Sequence, residues 1–156
     1  MIKNFYAIRE TGQCVFHINL CSIELSIEKK KDKNQKDPNL ISGFFAAVLT
    51  FADHVVGGDN EVHKLSLKNS NFFFIKKGQI HYIIETDLIN QKMEEEDFFE
   101  LLQQLANYIE DYVKDNDVDD SYMQISDDEY LCSQIKDLIS QYMRKKILGS
   151  FTINGD

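Results

Sequence analysis

The stretch Phe72-Phe73-Phe74-Ile75-Lys76-Lys77-Gly78-Gln79-Ile80-His81-Tyr82-Ile83-Ile84-Glu85 decides the fold. A strand shows successive side chains to opposite faces, so a run that is apolar at every position must be covered on both. Phe72 to Ile75 is such a run, and Ile80, Tyr82, Ile83 and Ile84 nearly make a second. Runs this short, with β-branched and aromatic residues, read as strands. Lys76 to Gln79 is a tight turn joining them. The stretch therefore predicts antiparallel strands with helices packed on both faces.

Upstream, Asn69-Ser70-Asn71 turns the chain, and Glu61 to Lys68, with Val62, Leu65 and Leu67, completes a three-strand meander. Before it, a helix is predicted from Pro38 to Val56. Asp37 can cap its free amides, and Pro38, the only proline, suits a first helical position. Gly57-Gly58 marks its end. Leu40, Ile41, Phe44, Phe45, Val48, Leu49, Phe51, Ala52 and Val55 make this helix apolar almost all round. A surface helix needs a stripe only about 100° wide, so this one is either wrapped by the fold or awaits a partner.

At the N-terminus, Ile2 to Arg9 and Cys14 to Leu20 form a hairpin around Gly12, with Cys14, Phe16, Ile18 and Leu20 expected on one face. Cys21 to Lys36 becomes a Lys-rich loop. Downstream, residues 91–114 carry the stripe Phe98, Leu102, Leu105, Ile109 and Val113 behind an acidic first turn. The last helix follows the capping box Ser126-Asp127-Asp128-Glu129, buries Leu131, Ile135, Leu138 and Tyr142, and is expected to stop before Gly149. The prediction is an α+β fold: a five-stranded antiparallel sheet with one helix on one face and two on the other. The element order is β-β-α-β-β-β-α-α. One domain spans 1–148, and 149–156 is a short tail.

Composition narrows the function. The chain has 156 residues, 43% hydrophobic and 28% charged, enough for a core without staples. Its 26 acidic against 17 basic residues give a net charge of -9. That argues against a nucleic-acid-binding face. The basic cluster Lys29-Lys30-Lys31-Asp32-Lys33 is the local exception and reads as a solvated loop. No stretch approaches the roughly 20 apolar residues of a membrane span, so membrane recruitment is at most peripheral. The start lacks a signal-peptide layout, and Cys14, Cys21 and Cys132 read as buried thiols, which places the protein in the cytoplasm.

Catalytic signals are weak. His17, His54, His63 and His81 form no HxxxH or HExxH pair, so metal binding is not expected from them. Asp115, Asp117 and Asp119 match the opening of a calcium loop. Asp120 and Ser126 then stand where a glycine and a bidentate glutamate are required. There is no phosphate-binding glycine loop and no nucleophile motif. The two arginines, Arg9 and Arg144, are the only residues that could act as an arginine finger. No enzyme activity and no cofactor are expected.

The order of elements, with Phe5-Tyr6-Ala7-Ile8 before Gly12, Val15-Phe16 after it, Ile41 to Val48 with Phe51-Ala52 in the first helix, and the meander Leu65 to Glu85, resembles the longin domain. Within that family it is most similar to longin-like proteins of archaea related to eukaryotes and to the longin parts of membrane-traffic GTPase regulators. The roadblock domain shares the sandwich but usually begins with a helix. The resemblance implies a profilin-like sandwich that binds a small GTPase, or another longin or roadblock chain, with a homodimer as one form. It also implies docking through the first helix and third strand, which here means Phe44, Phe45, Val48, Leu49, Phe51, Val62, Leu65 and Leu67. A small-molecule sensor with a pocket between helices and sheet is the alternative.

Overall fold

The computed structural model describes residues 1–20, 38–56, 61–88, 93–115 and 129–152. Within them, β1 (Ile2–Arg9), β2 (Cys14–Asn19), β3 (Lys64–Ser66), β4 (Asn71–Lys77) and β5 (Ile80–Thr86) form one antiparallel sheet in the order β2-β1-β5-β4-β3. Three helices accompany it: α1 (Pro38–Phe51), continued by a π-helical turn over Ala52–Val56, α2 (Glu95–Asp115) and α3 (Glu129–Thr152). The fold is α+β with the predicted element order.

Both faces of the sheet are covered, as the apolar runs require. Phe5, Ala7, Val15, Phe16, Ile18, Phe73, Tyr82 and Ile84 point to one side. There they meet Phe98, Leu101, Leu102, Leu105 and Ile109 of α2 and Leu131, Ile135, Ile139 and Tyr142 of α3. Tyr6, Ile8, Phe72, Phe74 and Ile83 point to the other side, where Phe45 of α1 seals them together with half-buried Ile41, Leu49, Val62 and Leu65. Each fully buried side chain of this size contributes roughly 1.5–3 kcal/mol, so the stripe of α2 alone outweighs its weak propensity to stand free.

The start of α2 is fixed by its own acids. The Glu94 amide donates to the Asp97 carboxylate at 2.9 Å, the reach-back half of a capping box. Lys146 of α3 then bonds Asp97 at 3.2 Å, and the Tyr142 hydroxyl donates to Glu100 at 2.8 Å. Gly12 turns the first hairpin at φ 93°, and a Cβ there would stand 3.3 Å from the Ala46 Cβ. This glycine both makes the turn and lets α1 approach it.

Three expectations need correction. First, Ile8 pairs with Cys14 but Ala7 with Phe16, so Val15 is the extra residue of a β-bulge. Cys14 therefore lies on the α1 side with Ile8, while Val15 and Phe16 both enter the opposite core. Second, the strand predicted over Glu61 to Lys68 shortens to Lys64–Ser66, lengthened only by the Phe74 amide donating to the His63 carbonyl at 2.9 Å. It is an edge strand, and short edges bearing charge resist pairing with stray strands. Third, α3 does not stop before Gly149 but runs through it to Thr152. One interior glycine costs about 1 kcal/mol relative to alanine, too little to end a helix anchored by its preceding turns.

Cys21, the Lys-rich stretch 29–36, Asp37, Gly57-Gly58, the acidic connection 116–125 and the capping residues 126–128 lie outside the described residues.

Candidate functional site

The helix α1 divides its apolar residues between two directions. Phe45 is only 1% exposed and stands edge-on to Tyr6, Phe72 and Phe74 at 5.7, 5.1 and 5.5 Å. Leu40, Phe44, Phe51 and Val55 instead face solvent at 75%, 49%, 62% and 63%. Leu40, Phe44 and Phe51 follow one another at steps of four and seven, which aligns them along one side of a helix. Val55 prolongs the exposed series into the π-helical turn.

The predicted docking residues thus separate. Phe44, Phe51 and Leu67, the last just beyond β3, are exposed; Val48 is half-buried. Leu49, Val62 and Leu65 are half-buried and pack against the Phe45 cluster. Phe45 is a correction: it belongs to the core, because its ring is buried against the three aromatic rings beneath α1. Leu40 and Val55 were legible as apolar positions of the helix, but nothing in the sequence said which direction they face. Arg9 is half-buried with its Nε enclosed, so it is poorly placed to reach another molecule, whereas Arg144 is exposed.

Two polar features lie on the same side of the sheet as α1. The first is a buried network around Glu85. Its carboxylate accepts from Asn4 Nδ2 at 2.8 Å, from Ser70 Oγ at 3.1 Å and, more weakly, from the Tyr6 hydroxyl at 3.4 Å. The Tyr6 phenol is pushed up by burial and then by the Glu85 charge, so it stays a donor. His17 stacks on Tyr6 with ring centroids 4.7 Å apart and its Nε2 is 3.0 Å from Asn4 Oδ1. Since the Asn4 amide nitrogen is committed to Glu85, the His17 Nε2 carries the hydrogen and donates.

Burial lowers the His17 pKa below its ordinary 6.5, with the Glu85 charge opposing. The unfolded chain therefore binds this proton at a higher pH than the folded chain does. The stabilisation is complete above about 6.5 and is lost as pH falls through the folded value. His81 shifts in the same direction, through burial first and Lys76 second. Urea midpoints are accordingly expected to drop between about pH 7.5 and pH 5.5, and His17→Phe should flatten that slope. An equal slope in the variant would remove His17 from the account.

The second feature is a cavity of about 440 Å³ between the C-terminal half of α1 and the β4–β5 hairpin. Leu49, Val62, Phe74 and Ile75 supply apolar wall, while Glu10, Asp53, His54, Glu61, Lys76 and His81 supply polar groups. Lys76 and Glu10 form an ion pair, which raises the lysine pKa and lowers that of the glutamate. The cavity gathers residues from five separate stretches of sequence, so no motif announced it. His63 is elsewhere engaged, edge-on to Phe99 at 6.2 Å. Among the described residues no three His, Cys, Asp or Glu side chains are placed to hold a metal ion.

No helix among the described residues is long and apolar enough to cross a membrane. The described elements form an antiparallel sheet between one helix on one face and two on the other. No family model matches the chain, and no curated protein sequence does. Among solved structures it is similar to Myxococcus xanthus MglB, at 10% identity and a TM-score of 0.41, over 58% of this chain and 68% of that one.

Proposed function

We propose that the chain is a non-enzymatic protein-interaction module, an adaptor or regulatory subunit that binds a small GTPase or another longin or roadblock chain. Its setting would be membrane-traffic-like processes in the cytoplasm. The observation that carries this reading is the outward row Leu40, Phe44, Phe51 and Val55 on a helix whose inner side is already sealed by Phe45. Isolated exposed apolar residues are ordinary, but large ones aligned on one helix face mark a surface that another protein covers. The resemblance to the longin domain in element order and helix texture supports trying these partners first.

The double substitution Phe44→Asp with Phe51→Asp tests it. Phe51 is mostly exposed and Phe44 half so, its ring 5.8 Å from that of Phe45, so folding stability should change by no more than about 1 kcal/mol. Binding should weaken by roughly 30-fold or more, as expected when hot-spot aromatics worth about 2 kcal/mol are lost. Sedimentation of the full chain, alone and with small GTPases and longin or roadblock chains, reads both self-association and partner binding. A strict monomer that binds none of them overturns the proposal.

A further inference from the structure

The cavity beside α1 has a chemistry that the docking face does not use. We infer that it binds a small organic cation, an ammonium or guanidinium group on a short alkyl stem. Its formal charges are three carboxylates, Glu10, Asp53 and Glu61, against one ammonium, Lys76. Lys76 is already paired with Glu10, which leaves Asp53 and Glu61 to be balanced. Among the described residues neither has an ion-pair partner, yet both act electrostatically on Lys76. An anion entering here meets a net negative wall, whereas a cation meets two carboxylates at the exposed rim that share a single, already paired lysine.

The neutral lining fits the same ligand. His81 is half-buried and held below its ordinary pKa by burial and then by Lys76, so near pH 7 its ring offers a lone pair to an N–H donor. Leu49, Val62 and Phe74 provide apolar wall against which an alkyl stem can lie. The volume of about 440 Å³ falls within the few-hundred-to-1,000 Å³ range of small-molecule sites. A metal ion is the other cation to consider, but the described carboxylates and imidazoles are not gathered closely enough to coordinate one.

The cation can arrive as a free molecule or as the Lys or Arg side chain of a protein. The test follows the His81 ring and Val62 methyl NMR signals of the full chain at about pH 7.5 during titration with agmatine, a capped Gly-Arg-Gly tripeptide, n-butanol and butyrate. Agmatine is expected to move both signals saturably, with n-butanol and butyrate silent. Asp53→Asn with Glu61→Gln should weaken agmatine at least ten-fold while leaving the amide spectrum of a folded chain. Lowering the pH until the His81 ring signals show that it has gained a proton, beside Glu10, Glu61, Asp53, His54 and Lys76, should weaken binding several-fold. A tripeptide that binds as tightly as agmatine assigns the site to a protein side chain; agmatine binding alone assigns it to a free cation. Silence from both cations, butyrate binding as well as agmatine, or a double variant that binds undiminished overturns the inference. None of these results depends on whether the Phe44 face recruits a partner.

Discussion

Phe45→Ala is expected to cost about 3–5 kcal/mol of folding stability, the usual range for truncating a fully buried phenylalanine. Three edge-on aromatic neighbours, Tyr6, Phe72 and Phe74, lose their common partner, and each such pair adds roughly 0.5–1.5 kcal/mol beyond the area it buries. The cavity cannot close easily, because the three rings sit on paired strands of the sheet and α1 is held against Gly12. Natural domains are stable by only about 5–15 kcal/mol, so the variant should unfold at a much lower urea midpoint and melt about 10 °C or more earlier. The adjacent Phe44→Ala, at a site half open to water, should shift the midpoint only slightly. Neighbouring phenylalanines on one helix thus give opposite answers. A loss below about 1 kcal/mol at Phe45 would mean that α1 does not seal this face.

That contrast marks the boundary of what the sequence could show. The run Phe72 to Ile75 and its partner Ile80 to Glu85 could be read as buried on both faces because alternation is a property of every strand. The structure places Phe72 and Phe74 beneath α1 and Phe73 beneath α2. The start of α1 at Pro38 was equally legible, whereas its predicted stop, Gly57-Gly58, lies outside the described residues. A helix that is apolar all round carries no mark of its inner side, however, so Phe44 and Phe45 looked alike until the sheet position was known. The Val15 bulge escaped for a related reason: one extra residue reverses the alternation of everything beyond it, and its signature is a pairing partner and not a residue type. The short β3 reflects its place at the sheet edge, which is a fact of topology. The cavity and the Glu85 network join side chains from distant strands and turns, and neither Asn4, His17 and Glu85 nor Asp53, Glu61 and His81 show any spacing that a motif could capture.

Glu85→Ala is expected to destabilise the fold by about 3 kcal/mol, even though a buried carboxylate is costly to desolvate. The expectation turns on what the substitution leaves behind. Buried Ser70 Oγ and half-buried Asn4 Nδ2 lose their acceptor; a stranded buried donor costs roughly 1–3 kcal/mol, with Asn4 toward the lower end. The Tyr6 hydroxyl, at 3.4 Å, loses less, so Tyr6→Phe should cost under about 1 kcal/mol if the ring packing is kept. Glu85→Gln keeps one acceptor oxygen but turns the other atom into a donor facing donors, and about 1–2 kcal/mol is expected. The order Ala, Gln, then Tyr6→Phe follows from hydrogen-bond direction and would not follow from lost volume, since Gln and Glu are nearly the same size. Chemical denaturation at about pH 7 ranks the three, and a cycle with Asn4→Ala measures the strongest link directly. A loss below about 0.5 kcal/mol in Glu85→Ala would show that desolvation of the carboxylate cancels its bonds; the acid would then be a burden that sheet packing tolerates.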